Sequence, residues 1–411
     1  MDPIFLKVVV GTTLLASSSA VVGTFSYLKG QSLVGDAIAH ALLPGVVLAF
    51  MLGDGRNPAY LIFGALVSGL IAHYGIEFIQ NRTKLKSDTA VSLVLSTFFG
   101  FGIMLMSVVQ QRGQGQQAGL ERYLLGKAAA ITMLDVYTFS ALALVLLLGV
   151  ALFYKGFQLM TFNEDFAHAI GLPVDLIRVT FTVLTVLAVT IGIQTVGVVL
   201  MAALLITPAA AARAWTKSLP QMIVLAAMFS AISAILGTLI SSAITKMPTG
   251  PWIVIILGLI GFTSLFIAPE KGWLFKRKRA LENRSKTNRE NIMKLMYRQE
   301  EKCGTGNKLS IPQILSIRAM REDALRVGLK DLKKRLWIIE HIEGFTLTDL
   351  GRIEGRRVVR LHRLWELYLT ERLGMAPDHI HPQAETMEHV ITPEIEALLI
   401  KELGVPERDP H

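Results

Sequence analysis

The residues with the clearest chemical potential in this sequence are Asp36 and His40, which lie in an otherwise apolar segment. Four residues apart on a helix, they project from one face. A carboxylate oxygen and an imidazole nitrogen are common ligands of divalent metal ions, so the pair predicts a metal contact. The same spacing also fits a hydrogen-bonded pair that only packs helices together, and spacing alone does not separate the two.

A second group of potential ligands lies near the end of the chain. Six histidines and glutamates selected from a stretch of 28 residues lie at mostly helical spacings, which suits one or two divalent cations. The alternative is a solvated helix face with incidental histidines. The only cysteine is Cys303, which excludes an intrachain disulfide and a multi-cysteine zinc or iron–sulfur site. The six residues are His362, Glu366, His381, Glu385, Glu388 and His389.

Two further patterns carry less specific chemistry. His73 and Glu77 repeat the four-residue spacing near the end of an apolar segment, and here we favour a pair with a structural role. Residues 162–172 form a short amphipathic helix, ending at Gly171, between two apolar segments. Such a helix lies on the membrane surface and can seat in a groove of a partner protein. Its candidate contact residues are Phe162, Glu164, Ala167, Gly171 and Leu172.

The elements that must position these residues follow from composition. Residues 1–269 contain 24 charged side chains, whereas residues 270–411 contain 49. The first part is too poor in charge for a water-facing surface, and the second has an ordinary soluble composition. A purely soluble enzyme and a fibrous or disordered chain are therefore both excluded.

The apolar part predicts a bundle of membrane-spanning helices. Most of its nine apolar segments are long enough to cross a hydrocarbon layer about 30 Å thick. Basic residues concentrate in cytoplasmic loops, and nine crossings with the N-terminus outside and the C-terminus inside satisfy that rule. Eight crossings result if one of the two short, proline-containing segments, 34–52 or 198–213, is re-entrant. The segments are 5–28, 34–52, 59–79, 89–109, 131–154, 177–197, 198–213, 219–243 and 251–269.

The polar part predicts a basic, weakly structured linker over 270–289, followed by a mostly helical cytoplasmic domain. Apolar residues recur at helical spacing in six segments of that domain. The fold class is thus all-α: a polytopic membrane bundle of 8 or 9 spans and a helical cytoplasmic domain. The six segments are 290–301, 311–320, 323–340, 348–373, 382–390 and 393–403.

The membrane part carries a set of motifs that resembles the permease subunits of ABC importers for zinc, manganese and iron. The likeness runs in order through residues 1–269. It implies that Asp36 and His40 contact the metal inside the membrane and that 162–172 is the coupling helix that receives the stroke of the ATPase. The motifs are Ser32 to Gly45, Lys86 to Ala90, Gly119 to Gly126, Thr195 to Leu200, Leu205 to Ala210 and Pro248 to Pro251.

That resemblance also implies partners. They are cytoplasmic ATP-binding subunits, an extracytoplasmic metal-binding protein, and a second permease subunit that is either identical or different. The sequence itself has no glycine-rich, lysine-containing phosphate loop, so ATP must be bound and hydrolysed by a partner. The expected location is the inner membrane of a bacterium, and no organic cofactor is expected.

Residues 350–411 resemble the metal-binding and dimerisation segment of the diphtheria-toxin-repressor family of metal-dependent regulators. By that resemblance, His362, Glu366 and His381 match one metal site, and the other site is matched by Glu385, Glu388 and His389. The family also draws a ligand from its N-terminal helix, where this chain has Asn291. Residues 290–349 resemble a degenerate winged helix. An oxygen-rich ligand set without thiolate suits Mn²⁺ or Fe²⁺.

The sequence thus predicts a permease for manganese or iron, with zinc as a further candidate, whose cytoplasmic domain senses metal and restrains uptake. Two alternatives stay open. In one, the chain is a membrane-tethered, metal-responsive transcription regulator, although DNA is not an expected partner. In the other, the C-terminal domain serves only dimerisation.

Overall fold

The computed structural model describes residues 3–31, 33–53, 58–111, 131–244, 247–269, 271–372, 391 and 393–404. The chain divides into two compact units, Met1–Phe275 and Lys276–His411. Each unit has its own cluster of buried apolar side chains.

The first unit is a bundle of α-helices. Eight helices among the described residues are long and apolar enough to cross a membrane, which confirms the predicted polytopic bundle. The remaining predicted segment, 198–213, forms a shorter apolar helix, α8. In chain order the helices are α1 (Pro3–Leu28), α2 (Val34–Leu52), α3 (Pro58–Arg82), α4 (Ser87–Gln111), α5 (Met133–Phe162), α6 (Glu164–Ala169), α7 (Val174–Val196), α8 (Val198–Trp215), α9 (Leu219–Ala243) and α10 (Thr249–Ile267).

Helix α2 is packed tightly against α3 through a glycine contact. A β-carbon on Gly45 would lie 2.0 Å from the carbonyl oxygen of Gly64, and one on Gly64 would lie 2.3 Å from that of Gly45. Small residues let helix backbones approach closely in this way. The Ser68 hydroxyl adds a hydrogen bond of 2.6 Å to the Ala41 carbonyl across the same contact. The position of α2 is therefore fixed by backbone proximity.

The ends of several helices meet at one face of the bundle. Lys29, just after α1, interacts electrostatically with Glu77 near the end of α3 and with Glu164 at the start of α6. Arg178, near the start of α7, interacts with the same two glutamates. The burial of Lys29 lowers the pKa of its ammonium group. This face carries the loops that the positive-inside rule assigns to the cytoplasm.

The second unit combines helices with one small antiparallel hairpin. Strand β1 pairs with β2 in a register that places Ile338 opposite Leu347, and Leu309 adds a bridge to Phe345. Apolar side chains of α11, α12, α13 and both strands form its core. The elements are α11 (Trp273–Cys303), α12 (Ile311–Ile317), α13 (Glu322–Lys334), β1 (Ile338–His341), β2 (Gly344–Leu347), α14 (Asp349–Glu371) and α15 (Pro393–Leu403).

Two sequence expectations for this unit were wrong. The segment predicted as a weakly structured linker is helical from Trp273 onward, since residues 273–289 contain no glycine or proline and their charges pair at i, i+4, as in Lys278 with Glu282. The helix predicted over 323–340 ends at Lys334. Leu336 takes a positive φ of 60°, and the next residues form β1 because Ile338 is buried against the hairpin partner.

Candidate metal sites

Helix α2 presents Asp36 and His40 on the accessible side of an otherwise buried segment. The Nε2 atom of His40 lies 3.7 Å from Oδ1 of Asp36, and the two side chains are 26% and 39% exposed. The residues between them, from Ala37 to Ala39, are buried. Two ionisable side chains on one membrane helix, neither enclosed by protein, are thus available to a cation from the same side.

The surroundings of this pair are aromatic and helical. The ring of Phe99 on α4 meets the His40 imidazole edge-on, with centroids 5.0 Å apart. Pro44 lies one turn further along α2. Because proline has no backbone N–H, the carbonyl of His40 lacks its usual helical donor. The backbone carbonyl oxygen of His40 is therefore a further potential metal ligand, in addition to the side chains of Asp36 and His40.

A large cavity of about 840 Å³ lies between α2, α3 and α4 and begins one turn after His40. Its walls are mainly apolar, with Leu48, Phe63, Val67 and Phe101 among them. None of the described residues that line it carries a carboxylate, an imidazole or an amine. The cavity therefore lacks the ligands of a metal site, although it adjoins the Asp36–His40 pair along α2.

His73 and Glu77 adopt the same i, i+4 geometry in a different environment. The His73 Nε2 atom lies 3.6 Å from Glu77 Oε1, and the His73 side chain is buried. Glu77 also interacts with Lys29 and Arg178. The pair belongs to the charge cluster at the face where helix ends meet, which agrees with the structural role we favoured from the sequence.

The predicted coupling helix is α6, a short helix held by side-chain contacts at its beginning. The side chain of Asn163 caps it by accepting a hydrogen bond of 2.9 Å from the backbone N–H of Phe166. Glu164 forms an ion pair with Arg178 of α7. These contacts attach the start of the helix to the neighbouring membrane helix.

The end of α6 is shaped by Gly171, whose positive φ of 81° ends the helix. The N–H of Leu172 returns to the Ala167 carbonyl at 3.2 Å, and Ala167 is buried against the bundle. Around Ala167, large apolar side chains are exposed rather than packed against the bundle. These exposed side chains are Phe162, Phe166 and Ile170.

In the second unit, α14 places His362 and Glu366 in the protein interior, where a lysine contacts His362. The His362 Nε2 atom lies 2.8 Å from Glu366 Oε1, and its Nδ1 atom lies 2.9 Å from Nζ of Lys294. The three residues are 0%, 3% and 2% exposed. Sequence reasoning missed Lys294, although its position inside the apolar run from Ile292 to Met296 was a signal that it points inward.

The other four predicted cytoplasmic ligands lie outside the described residues. Asn291 stands one turn before Lys294 on α11, and its buried side-chain oxygen has no hydrogen-bond partner among the described residues. Within that part of the chain, no group of three or more His, Cys, Asp or Glu side chains could hold a metal ion. The four residues outside it are His381, Glu385, Glu388 and His389.

Several basic side chains of the winged-helix-like region form ion pairs within the protein. Arg326 pairs with Glu322 at 2.7 Å, and Lys333 pairs with Glu340 at 2.6 Å. Arg335 makes a longer contact of 3.5 Å with an aspartate on the same helix. Internal pairing of these cations reduces the positive field that binding to DNA phosphates requires.

Comparison with known proteins relates each unit to a family. Residues 1–268 match the ABC 3 transport family, and residues 348–411 match the iron dependent repressor, metal binding and dimerisation domain. The manganese transport system membrane protein MntC of Bacillus subtilis is 38% identical over 373 residues, which are 90% of this chain and 85% of that protein. Both resemblances predicted from the motifs are confirmed.

Two further matches cover mainly the membrane unit. The zinc transport system membrane protein TroC of Treponema pallidum is 41% identical over 270 residues, covering 66% of this chain and 91% of TroC. Among solved structures, PsaBC from Streptococcus pneumoniae in complex with Fab is 32% identical, with a TM-score of 0.59 over 67% of this chain and 96% of that chain. The membrane unit therefore has the fold of that structure.

Proposed function

The chain belongs to the ABC 3 transport family, and from that premise we propose that it is the permease subunit of an ATP-driven importer for a divalent metal ion. Manganese or iron is the favoured substrate, with zinc as a further candidate. The names of the relatives support this range, because MntC is a manganese transport protein and TroC a zinc transport protein. The protein works as a multi-pass component of a bacterial inner membrane.

The observation that carries the proposal is the accessibility of Asp36 and His40 on α2. Ionisable side chains inside membrane helices are costly and mark ion pathways. In the permease, the carboxylate and the imidazole contact the metal during its passage, and the 3.7 Å between them leaves room for small rotations toward a shared cation. The metal is released when the path opens to the other side.

The geometry of α6 supports its role as the coupling helix. Exposed Phe162 and Phe166 offer an apolar surface to a groove in an ATP-binding subunit, as amphipathic helices do in partner proteins. The ion pair of Glu164 with Arg178 connects that surface to α7. A movement of the ATPase would thereby be transmitted to the membrane bundle through α6. Ala167, Gly171 and Leu172 hold the end of this helix in place.

The complete importer in this proposal contains several proteins. Two cytoplasmic ATPases bind and hydrolyse ATP, and an extracytoplasmic protein delivers the metal. A second permease subunit, identical or different, completes the pathway. This chain contributes residues 1–269 as the permease domain, with 290–349 as the winged-helix-like region and 350–411 as the metal-binding and dimerisation region.

Uptake of radioactive Mn²⁺ and Fe²⁺ by cells that carry the partner subunits tests the proposal. We expect Asp36→Ala and His40→Ala to reduce initial uptake about 10- to 100-fold or more, since that is the range seen when even outer-shell partners of a metal are removed. Thr97→Val is the matched control. Its hydroxyl bonds the Leu93 carbonyl of its own helix at 2.8 Å, so uptake should stay at the wild-type rate.

Membrane abundance must be equal in all variants for this comparison. Wild-type uptake by both Asp36→Ala and His40→Ala would contradict the assignment of the pathway. Loss of uptake in Thr97→Val as well would indicate general disruption of the bundle.

We further propose that the cytoplasmic domain senses accumulated metal and restrains uptake. The match of residues 348–411 to a metal-binding and dimerisation domain supports this role. A ligand couples to transport only by binding one state of the permease better than another. Because Lys294 already contacts His362, which lies beside Glu366, the residues that we propose respond to metal are Glu385, Glu388 and His389.

A further inference from the structure

Three buried side chains in the cytoplasmic unit form a continuous chain of polar contacts. Lys294 comes from α11, whereas His362 and Glu366 come from successive turns of α14. The lysine Nζ lies 2.9 Å from Nδ1 of His362, and Nε2 of the same ring lies 2.8 Å from Glu366 Oε1. All three side chains are almost fully shielded from water. A buried cation and a buried carboxylate are thus joined through one imidazole.

The hydrogen-bond chemistry of this chain assigns a role to each ring nitrogen. An ammonium group has three donors and no acceptor, so Nδ1 of His362 must offer its lone pair to Lys294. The proton of the neutral ring then sits on Nε2, which lies 2.8 Å from Oε1 of the Glu366 carboxylate. Positive and negative charge balance across a neutral histidine, as buried charges require.

This arrangement does not fit a metal ion at His362 and Glu366. A metal needs the lone pair of an imidazole nitrogen, but Lys294 uses one nitrogen of His362 and a proton occupies the other. A divalent cation beside the carboxylate would also be separated from the buried ammonium group only by the imidazole ring of His362. In an interior of low dielectric constant, that repulsion is strong.

We propose that the ammonium group of Lys294 permanently takes the place of a metal ion at His362 and Glu366. This half of the repressor-like domain is a metal-independent clamp that fastens α11 to α14. The two residues in contact, Lys294 and His362, are 68 positions apart in the sequence. The inference goes beyond the proposed function and does not depend on it, because it concerns metal binding by the purified protein.

Counting bound Mn²⁺ in the purified full-length protein tests the clamp. We expect wild type and His362→Gln to bind the same number of ions, because the wild-type pair holds none. Glu366→Gln provides the same comparison should His362→Gln not fold. Loss of one bound ion in either folded variant would overturn the proposal.

Removing the lysine tests the same idea in the opposite direction. Lys294→Met frees the imidazole and the carboxylate, so we expect one additional Mn²⁺ ion, and a rise in Tm on adding Mn²⁺ that exceeds the wild-type rise. Both effects should disappear in the double variant Lys294→Met/His362→Gln. Lys302→Met removes an exposed lysine from the same helix and should gain no ion. A folded Lys294→Met protein with no additional ion would show that the lysine is not what excludes metal.

Discussion

At the scale of single residues, two histidine–acid pairs with the same i, i+4 spacing have different chemistry because of their neighbours. Asp36 and His40 are partly accessible and adjoin an aromatic ring rather than a charge. His362 and Glu366 are buried beside the ammonium group of Lys294. The first pair can receive a cation from outside, whereas the second already holds one that belongs to the protein.

Another buried contact at this scale predicts a pH dependence of stability. Asp331 on α13 is partly buried, which by itself raises the pKa of its carboxyl, but the hydrogen bond from Arg289 at 2.7 Å and the charge of Arg335 outweigh burial. The pKa is therefore lowered in the folded protein. A carboxylate with a lowered pKa stabilises the fold above its unfolded pKa of about 3.9, and that contribution is lost as the pH falls through the folded value.

We expect Asp331→Asn to reduce the free energy of unfolding of the second unit by about 1–2 kcal/mol at pH 7, the lower end of the values for hydrogen bonds to charged groups, because the pair is partly exposed to solvent. The difference from wild type should begin to shrink as the pH falls below the unfolded pKa of about 3.9, and it should vanish only below the lowered pKa of the folded protein. Calorimetric Tm values between these pH limits give the comparison. Glu343→Gln removes an exposed ion pair with Lys308 and should leave Tm unchanged. A deficit of Asp331→Asn that persists undiminished at pH 3 would contradict this account.

At the scale of elements, the glycine contact between α2 and α3 positions the candidate transport pathway. Adding a methyl group at Gly45 would bring it within 2.0 Å of the Gly64 carbonyl oxygen and 2.5 Å of the Ser68 β-carbon. Backbone cannot yield as a flexible side chain can, so α2 would have to move. The pair formed by Asp36 and His40 would move with it.

We expect Gly45→Ala and Gly64→Ala each to destabilise the purified protein by about 1–3 kcal/mol, the range for overpacked cores, and to slow metal uptake. Gly100→Ala is the matched control, because nothing lies within 4 Å of the added β-carbon on α4. Thermal unfolding in detergent and radiometal uptake measure the two effects. Equal behaviour of all three variants would show that the close approach of α2 and α3 has no role in positioning the pathway.

At the scale of the whole molecule, the two units have separate cores and match separate families. PsaBC and TroC match mainly the membrane unit, and the matches cover 96% and 91% of those chains. A permease of this kind therefore does not require the cytoplasmic unit for its fold. We expect a chain ended after Phe275 to insert into the membrane and to import metal with its partner subunits at close to the wild-type initial rate.

The same truncated chain separates the two proposed roles of the cytoplasmic unit. If that unit senses metal, truncation abolishes the decline of uptake at high internal metal, and Glu388→Ala or His389→Ala in the full chain does so as well. If it serves only dimerisation, the point variants keep the decline. Time courses of uptake by cells loaded with Mn²⁺ distinguish these outcomes. Unchanged decline in every variant would rule out the sensing role.

The sequence by itself determined the large features of this protein. The contrast in charge between residues 1–269 and 270–411 predicted a membrane part and a polar part, because a lipid-facing surface excludes charged side chains. Ordered motifs predicted both families. Helical spacing placed Asp36 with His40, and His362 with Glu366, on common faces, since i, i+4 geometry is local.

Only the tertiary structure decided what surrounds these pairs. The contact of Lys294 with His362 joins α11 to α14, and no local pattern encodes a contact between residues 68 positions apart. Likewise, β1 replaced the end of a predicted helix because burial of Ile338 against β2 outweighed local propensity. Helical spacing places potential metal ligands on one face, but packing between distant segments determines whether those side chains contact water, a metal ion or a lysine.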